Sequence, residues 1–306
     1  MITILLTTYN GERFLSEQLD SLFSQTVQDF VLIVQDDGST DGTQKILETY
    51  RKRIPERIEI HQNKKILGPA YNFLDLMYRY RDGYLMLCDQ DDVWLPHKIE
   101  NTLKKMKSME DIHGENTPIL IHSDLTVVSQ DLQVIFDSYF YMAGVDSIDS
   151  IKQMVLRNNV AGCTTMYNGA LAQMLEEIPK NCVMHDFWLA QIAFCFGKVI
   201  CLPESQILYR QHSKNTLGAH TVHGFRHKWH KLTHFNEIRQ ALFASYSQAG
   251  ELLRLYGHMM QHEDRHILKT YAAMLTMGKW NRLKAMRKEG LFRKGFLRKL
   301  SQVAFG

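Results

Sequence analysis

The feature that most constrains this chain is an alternation through its first half. The runs ITILLTT, FVLIVQD, IEIHQ, YLMLC and PILIHSD are short and rich in Ile, Leu and Val, and stretches of helical spacing separate them. GERFLSEQLDSLFSQ sets Leu15, Leu19, Leu22 and Phe23 on one helical face, and GPAYNFLDLMYRYR does the same with Leu74, Met77 and Tyr78. A βαβαβαβ order predicts an α/β fold with a mainly parallel sheet and helices on both faces. Such sheets take ligands in the crevice beyond the carboxyl ends of their strands, so polar clusters at those ends are the candidates for function.

Three strand ends carry such clusters: TTYNGE (Thr7 to Glu12), DDGSTDGT (Asp36 to Thr43) and DQDDVW (Asp89 to Trp94). DDGSTDGT suits a tight turn running into a helix that Asp41 can cap. One carboxylate would satisfy that turn, which leaves Asp37 unexplained. In DQDDVW, closely spaced carboxylates repel and ionise together only with a cation or a donor-rich ligand among them. A hard ion, Mg²⁺ or Mn²⁺, commonly takes one or two carboxylates together with the phosphates of a substrate. Asp89 and Asp91 have that character, and Asp92 reads as a cap for a helix beginning near Leu95. The D-x-D-x-T pattern of haloacid-dehalogenase-like phosphatases does not fit, since the fifth residue is Val93 and three strands precede the motif.

With TTYN, DDGSTDGT and DQDDVW in this order, followed by HDFW (His185 to Trp188) and LYRQHSKN (Leu208 to Asn215), residues 1 to 215 resemble the family-2 glycosyltransferases of the GT-A fold. The wording CDQDDVW is most similar to bacterial rhamnosyltransferase-like members that build cell-surface polysaccharides. The resemblance implies a Rossmann-like sheet over residues 1 to 220 and an inverting, metal-dependent transfer. Its sugar is expected to be rhamnose from a deoxythymidine diphosphate donor, and its acceptor a lipid-linked glycan. It implies that Thr7, Tyr9 and Asp37 hold the nucleotide base, with Tyr9 stacked on it. Asp91 would bind the metal, Asp89 would lie near the ribose or the same ion, and Asp186 would be the catalytic base. His212 would donate to phosphate or complete the metal shell. Arg210, expected to bind substrate, and His212 stand where processive synthases carry Q-x-x-R-W, which argues against a polymerising synthase. Asn63, Gly68 and Asn72 resemble a donor-side loop, and helix capping accounts for Gly68-Pro69 nearly as well. Gly162 resembles the entry to the acceptor site, and Trp188 is either a sugar-stacking face or a core aromatic. The reading from another class is a non-catalytic nucleotide-sugar-binding or scaffold protein, which would need no base.

The net charge of +3 conceals an asymmetry: residues 221 to 306 hold 16 Lys+Arg against 5 Asp+Glu, and the preceding residues hold 20 against 28. Strand signals stop near 220, so a basic helical extension over 221–306 is expected. LFRKGFLRKLSQVAFG mixes Leu and Phe with Arg and Lys as an interfacial helix does, which predicts contact with an anionic membrane surface. No recognition motif accompanies the charge, so nucleic acid is not the expected partner. His223, His227, His230 and His234 share a helical face, as do His258, His262 and His266, but they stand amid Lys and Arg with no cysteine nearby, so a zinc site is not the expectation. The five cysteines lack C-x-x-C spacing and suggest neither disulfide nor zinc. No leader and no apolar run of ~18 residues is apparent. A cytoplasmic protein, peripheral at the inner membrane face, is the expectation.

Overall fold

The computed structural model describes residues 1–144, 148–212 and 235–293, with 299, 302 and 303. Its strands are β1 (Ile2–Thr8), β2 (Phe30–Asp36), β3 (Ile58–Gln62), β4 (Tyr84–Cys88), β5 (Val93–Trp94), β6 (Ile119–Val128), β7 (Val134–Phe136), β8 (Met166–Asn168) and β9 (Lys198–Arg210). The helices are α1 (Leu15–Phe23), α2 (Thr43–Arg53), α3 (Pro69–Arg79), α4 (Lys98–His113), α5 (Tyr139–Ala143), α6 (Ile151–Met154), α7 (Gly169–Gln173), α8 (His185–Phe196), α9 (Phe235–Tyr256), α10 (His262–Ala273) and α11 (Lys279–Glu289).

One sheet runs β3-β2-β1-β4-β8-β6-β9-β5, with β7 alongside β6. β1, β2, β3 and β4 pair in parallel, and so do β6 and β9 over the length of β6. The short β8 enters antiparallel between β4 and β6. This is the mainly parallel α/β architecture expected from the alternation.

Side chains along a strand point to opposite faces in turn, and both faces here are covered. Leu5, Leu85, Leu87 and Leu120 join one core with Phe73 and Leu76 of α3 and with Trp188 and Ile192 of α8. Their sequence neighbours Ile4, Leu6, Met86, Ile119 and Ile121 join the other, with Leu15 and Leu19 of α1 and Ile99 and Met106 of α4. The near-continuous apolar character of β1, β2 and β4 follows from this double burial. Leu242, Tyr246, Leu252, Leu268 and Tyr271 of α9 and α10 belong to the first core, so the helices after residue 220 complete a face of the sheet. No helix among the described residues is long and apolar enough to cross a membrane.

Candidate active site

At the carboxyl ends of β1, β2 and β4 lies a cleft of about 950 Å³. Thr7, Tyr9, Asp37, Gly68, Asn72, Asp89, Asp91, Gly162, Asp186 and His212 all line it. Asn63, Trp188 and Arg210, the other expected residues, do not. Trp188 is fully buried, its ring 6.1 Å from that of Tyr256 and its Nε1 donating to the Tyr78 hydroxyl at 3.3 Å, so it is a core aromatic and offers no face to a sugar. Its place on α8, two residues after Asp186, turns it away from the cleft.

Arg210 is the other correction. It is 1% exposed, and its guanidinium donates from Nε to the Asp91 carbonyl at 2.8 Å, reaches the Gln130 carbonyl and Glu17, and lies over the Phe14 ring at 4.6 Å. Its backbone N–H donates to Asp92 Oδ1 at 3.1 Å. Arg210 therefore holds the DQDD loop in place from below and does not face the cleft. The same contact corrects Asp92, which is buried under that loop and does not cap α4, a helix whose N-cap is His97 with no side-chain cap.

The turn after β2 divides its two carboxylates as the sequence suggested. Asp36 accepts from Ser39 N at 2.9 Å, Gly38 N at 3.2 Å and Thr8 Oγ1 at 2.8 Å, which builds the turn. Asp41 satisfies the first N–H of α2 by accepting from Thr43 N at 3.0 Å. Asp37 instead gathers the segment before α3, accepting from Asn63 Nδ2 at 2.7 Å, Leu67 N at 2.8 Å and Gly68 N at 2.8 Å. Asn63 Nδ2 also donates to Asn72 Oδ1 at 2.8 Å. Gly68 stands at φ +77° with Pro69 opening α3, a backbone conformation that favours glycine. Tyr9 is 46% exposed on the cleft wall, and Gln90 brackets it by accepting from its N at 2.9 Å and donating to its O at 3.0 Å. Gln90, the middle residue of D-x-D, thus ties the β1 loop to the β4 loop, a role hidden in a position that the motif leaves unspecified.

Asp186 sits in the first turn of α8. Its Oδ2 accepts from Gly162 N at 3.1 Å, and its Oδ1 from Phe187 N at 2.5 Å and Asn158 Nδ2 at 3.1 Å. Burial pushes its carboxyl up to about 6 against those hydrogen bonds. The preceding His185 stacks on Phe73 at 4.0 Å, and burial lowers its pKa to about 3, which keeps it neutral. A side chain at Gly162 would stand 2.6 Å from His185 Nε2, so only glycine lets the chain pass there.

Burial and the charges of Asp91 and Asp186 raise Asp89 to about 7, which places the three carboxylates in one field. Asp91 Oδ2 lies 2.7 Å from His212 Nε2, and the His212 ring stacks on Phe14 at 4.9 Å. Oxygen ligands with one imidazole suit a small divalent ion, Mn²⁺ better than Mg²⁺. The tightest grouping of ligand-type atoms among the described residues is a different one, Asp89, Asp92 and Cys163. There the ammonium of fully buried Lys98 already sits among them, 3.4 Å over the Trp94 ring and against the Cys163 carbonyl. Cys163 is one of five free cysteines. Lys98, Cys163, Gln90 and Asn158 were not singled out from the sequence, because nothing in local spacing marks a residue that acts by burial beneath a motif. His258, His262 and His266 form no such grouping, and His223, His227, His230 and His234 lie outside the described residues.

Residues 3–133 match the family described as Glycosyl transferase family 2. The chain is 28% identical over 214 residues to an uncharacterised protein of Mycobacterium bovis, covering 69% of this chain and 59% of that one, so the match spans about three fifths of that relative's length. It is 28% identical over 235 residues to a dTDP-rhamnosyl transferase of Shigella flexneri, covering 74% and 78%. In fold it is similar to TarS of S. aureus in complex with UDP-GlcNAc, with a TM-score of 0.56 at 17% identity over 99% of this chain and 78% of that one. A mannosyltransferase of Pyrobaculum calidifontis in complex with GDP-Man and Mn²⁺ gives a TM-score of 0.52 at 16% identity, again covering 99% and 78%.

Proposed function

From the family-2 glycosyltransferase domain that this chain carries on a GT-A fold, we propose that the cleft moves a sugar from a nucleoside diphosphate donor to an acceptor hydroxyl with inversion. The observation that carries this reading is Asp186: a carboxylate held by three donors, raised to about 6, on the wall of the cleft that Asp37, Asp89 and Asp91 also line. A binding or scaffold protein has no use for such a group.

In this reading Tyr9 offers its ring to the base, and the Asp37 network fixes the wall beside it. Asp91, Asp89 and His212 would hold Mg²⁺ or Mn²⁺, which neutralises charge on the leaving diphosphate when bound. Asp186 accepts the acceptor's proton as the hydroxyl attacks C1. Asn158 and the Gly162 N–H keep that carboxylate aimed, and neutral His185 beside it does not compete for the proton. Gly162 admits the acceptor where a side chain would displace His185.

The finer assignment is rhamnose from dTDP-rhamnose, supported by the named relative and the CDQDDVW wording. The acceptor is a lipid-linked glycan of a cell-surface polysaccharide, met at the cytoplasmic membrane face by a basic extension over residues 221–306. Donor hydrolysis measured across a panel of nucleotide sugars tests both levels. Turnover of dTDP-rhamnose above the rest supports the full assignment, preference for another donor removes rhamnose alone, and no turnover of any donor removes the enzyme.

A further inference from the structure

We propose that the solvent face of α11 docks on an anionic lipid surface, with Trp280 as its interfacial anchor. Trp280 is 76% exposed at the second position of the helix, an unusual place for the largest amphipathic side chain. Lys284, Arg287 and Lys288 follow at four, seven and eight residues, which sets them on the same face, and all three are exposed. The opposite face is fixed: Met286 is fully buried, and the Arg282 guanidinium lies 4.8 Å from the Phe243 ring and 5.9 Å from that of Tyr246 on α9. The helix cannot turn its basic face inward without breaking that packing.

The charge balance of the face has one sign. Between Met274 and Arg293 the acidic residue is Glu289, and it lies 3.4 Å from His266 and 3.9 Å from Lys288. Leu275, 39% exposed, adds an apolar side chain in the turn before the helix. Basic residues around an exposed tryptophan match the headgroup level of an anionic leaflet, where the indole is half in hydrocarbon and the ammonium groups meet phosphate. Lysine is depleted in protein–protein interfaces, so a tryptophan ringed by Lys and Arg suits a headgroup layer better than an acidic protein.

The C-terminal end of α11 adjoins α6. Gly290, just past α11, has the Lys152 Nζ of α6 at 3.2 Å from where its Cβ would stand. α6 leads directly into Asn158, which donates to Asp186. The inference rests on the proposed membrane-borne acceptor and deepens it by assigning the contact to a described helix.

The test is co-sedimentation of the full chain with phosphatidylcholine vesicles containing or lacking phosphatidylglycerol. Binding to the anionic vesicles alone is expected, weakening as salt is raised. Each basic residue near an anionic leaflet is worth roughly fivefold in binding, so the paired Lys284→Glu and Arg287→Glu change should weaken it more than tenfold, and Trp280→Ala severalfold, at unchanged thermal midpoints. Undiminished binding in the paired variant overturns the proposal, and so does absence of vesicle binding by the parent chain, which would leave the face to an acidic protein. Donor hydrolysis in solution separates the two readings: these variants should keep the parental rate, whereas failure of the parent to hydrolyse any donor removes the transfer reading and leaves vesicle binding to stand or fall by itself.

Discussion

Asp186 shows how one carboxylate can be both restrained and reactive. Burial alone would push its pKa further, and three donors pull it back to about 6. A base must be deprotonated, so kcat/KM should fall tenfold per pH unit below about 6, and not near 4 as for an exposed aspartate. Asp186→Asn should abolish transfer and retain donor binding. A variant that still turned over would remove Asp186 as the base. Stability carries an independent signature. The folded carboxyl binds its proton more tightly than the unfolded one, so between about pH 4 and 6 the folded state holds more protons and this group's contribution to stability declines as pH rises. Asp186→Asn should erase that part of the pH dependence of urea unfolding, whatever it does to activity. Asp91 makes the complementary case. Its Oδ2 pairs with His212 and its carboxylate faces the cleft, so Asp91→Ala should lose transfer and weaken Mn²⁺ binding by calorimetry, with an unchanged circular dichroism spectrum. Full activity of that variant, or of the parent in EDTA, would sink the metal role.

At the scale of elements, the cleft is made by loops whose ends are fixed by strands and whose shapes are fixed by a few backbone contacts. The segment from Asn63 to Gly68 is an example, because its N–H groups converge on Asp37 and its last residue needs a positive φ. Asp37→Ala leaves those donors without their acceptor, a cost of about 1–3 kcal/mol, and should raise the donor KM more than it lowers kcat. An unchanged KM would show that this wall does not meet the donor. Much of this was legible in the sequence: double burial writes apolar runs into β1, β2 and β4, and strand-end carboxylates stand out against them. What was not legible depends on the third dimension. Trp188 and Asp186 are two positions apart on one helix and face different surroundings, and Arg210 reads as a binding cation until its partners are seen to be loop carbonyls and Glu17. Lys98 was invisible for the same reason, since a lysine in the first turn of a helix ordinarily points to solvent and here lies fully buried beneath the acidic loop.

The charge asymmetry that sets residues 221–306 apart by composition does not set α9 and α10 apart by packing. Tyr246, Leu252 and Tyr271 are fully buried in the same core as Phe73 and Trp188, and the Tyr256 hydroxyl donates to the Met174 carbonyl at 2.9 Å. Gln248 ties α9 to α8 through Gln191 at 2.8 Å and accepts from Val183 N at 2.6 Å, just before the helix that carries Asp186. Those contacts make α9 a support for the candidate base from the side away from the cleft. Truncating a fully buried leucine costs about 2–5 kcal/mol through lost transfer energy and the cavity left behind. Leu252→Ala, which does not line the cleft, should therefore lower the unfolding free energy by that amount and move the urea midpoint down in a single transition reported alike by tryptophan fluorescence and by loss of donor binding. If the C-terminal helices were an independent appendage, the two probes would part, with the donor-binding transition staying at the parental midpoint. Coincident transitions are the expected result, because a face of the sheet that depends on α9 and α10 for its cover cannot outlast them.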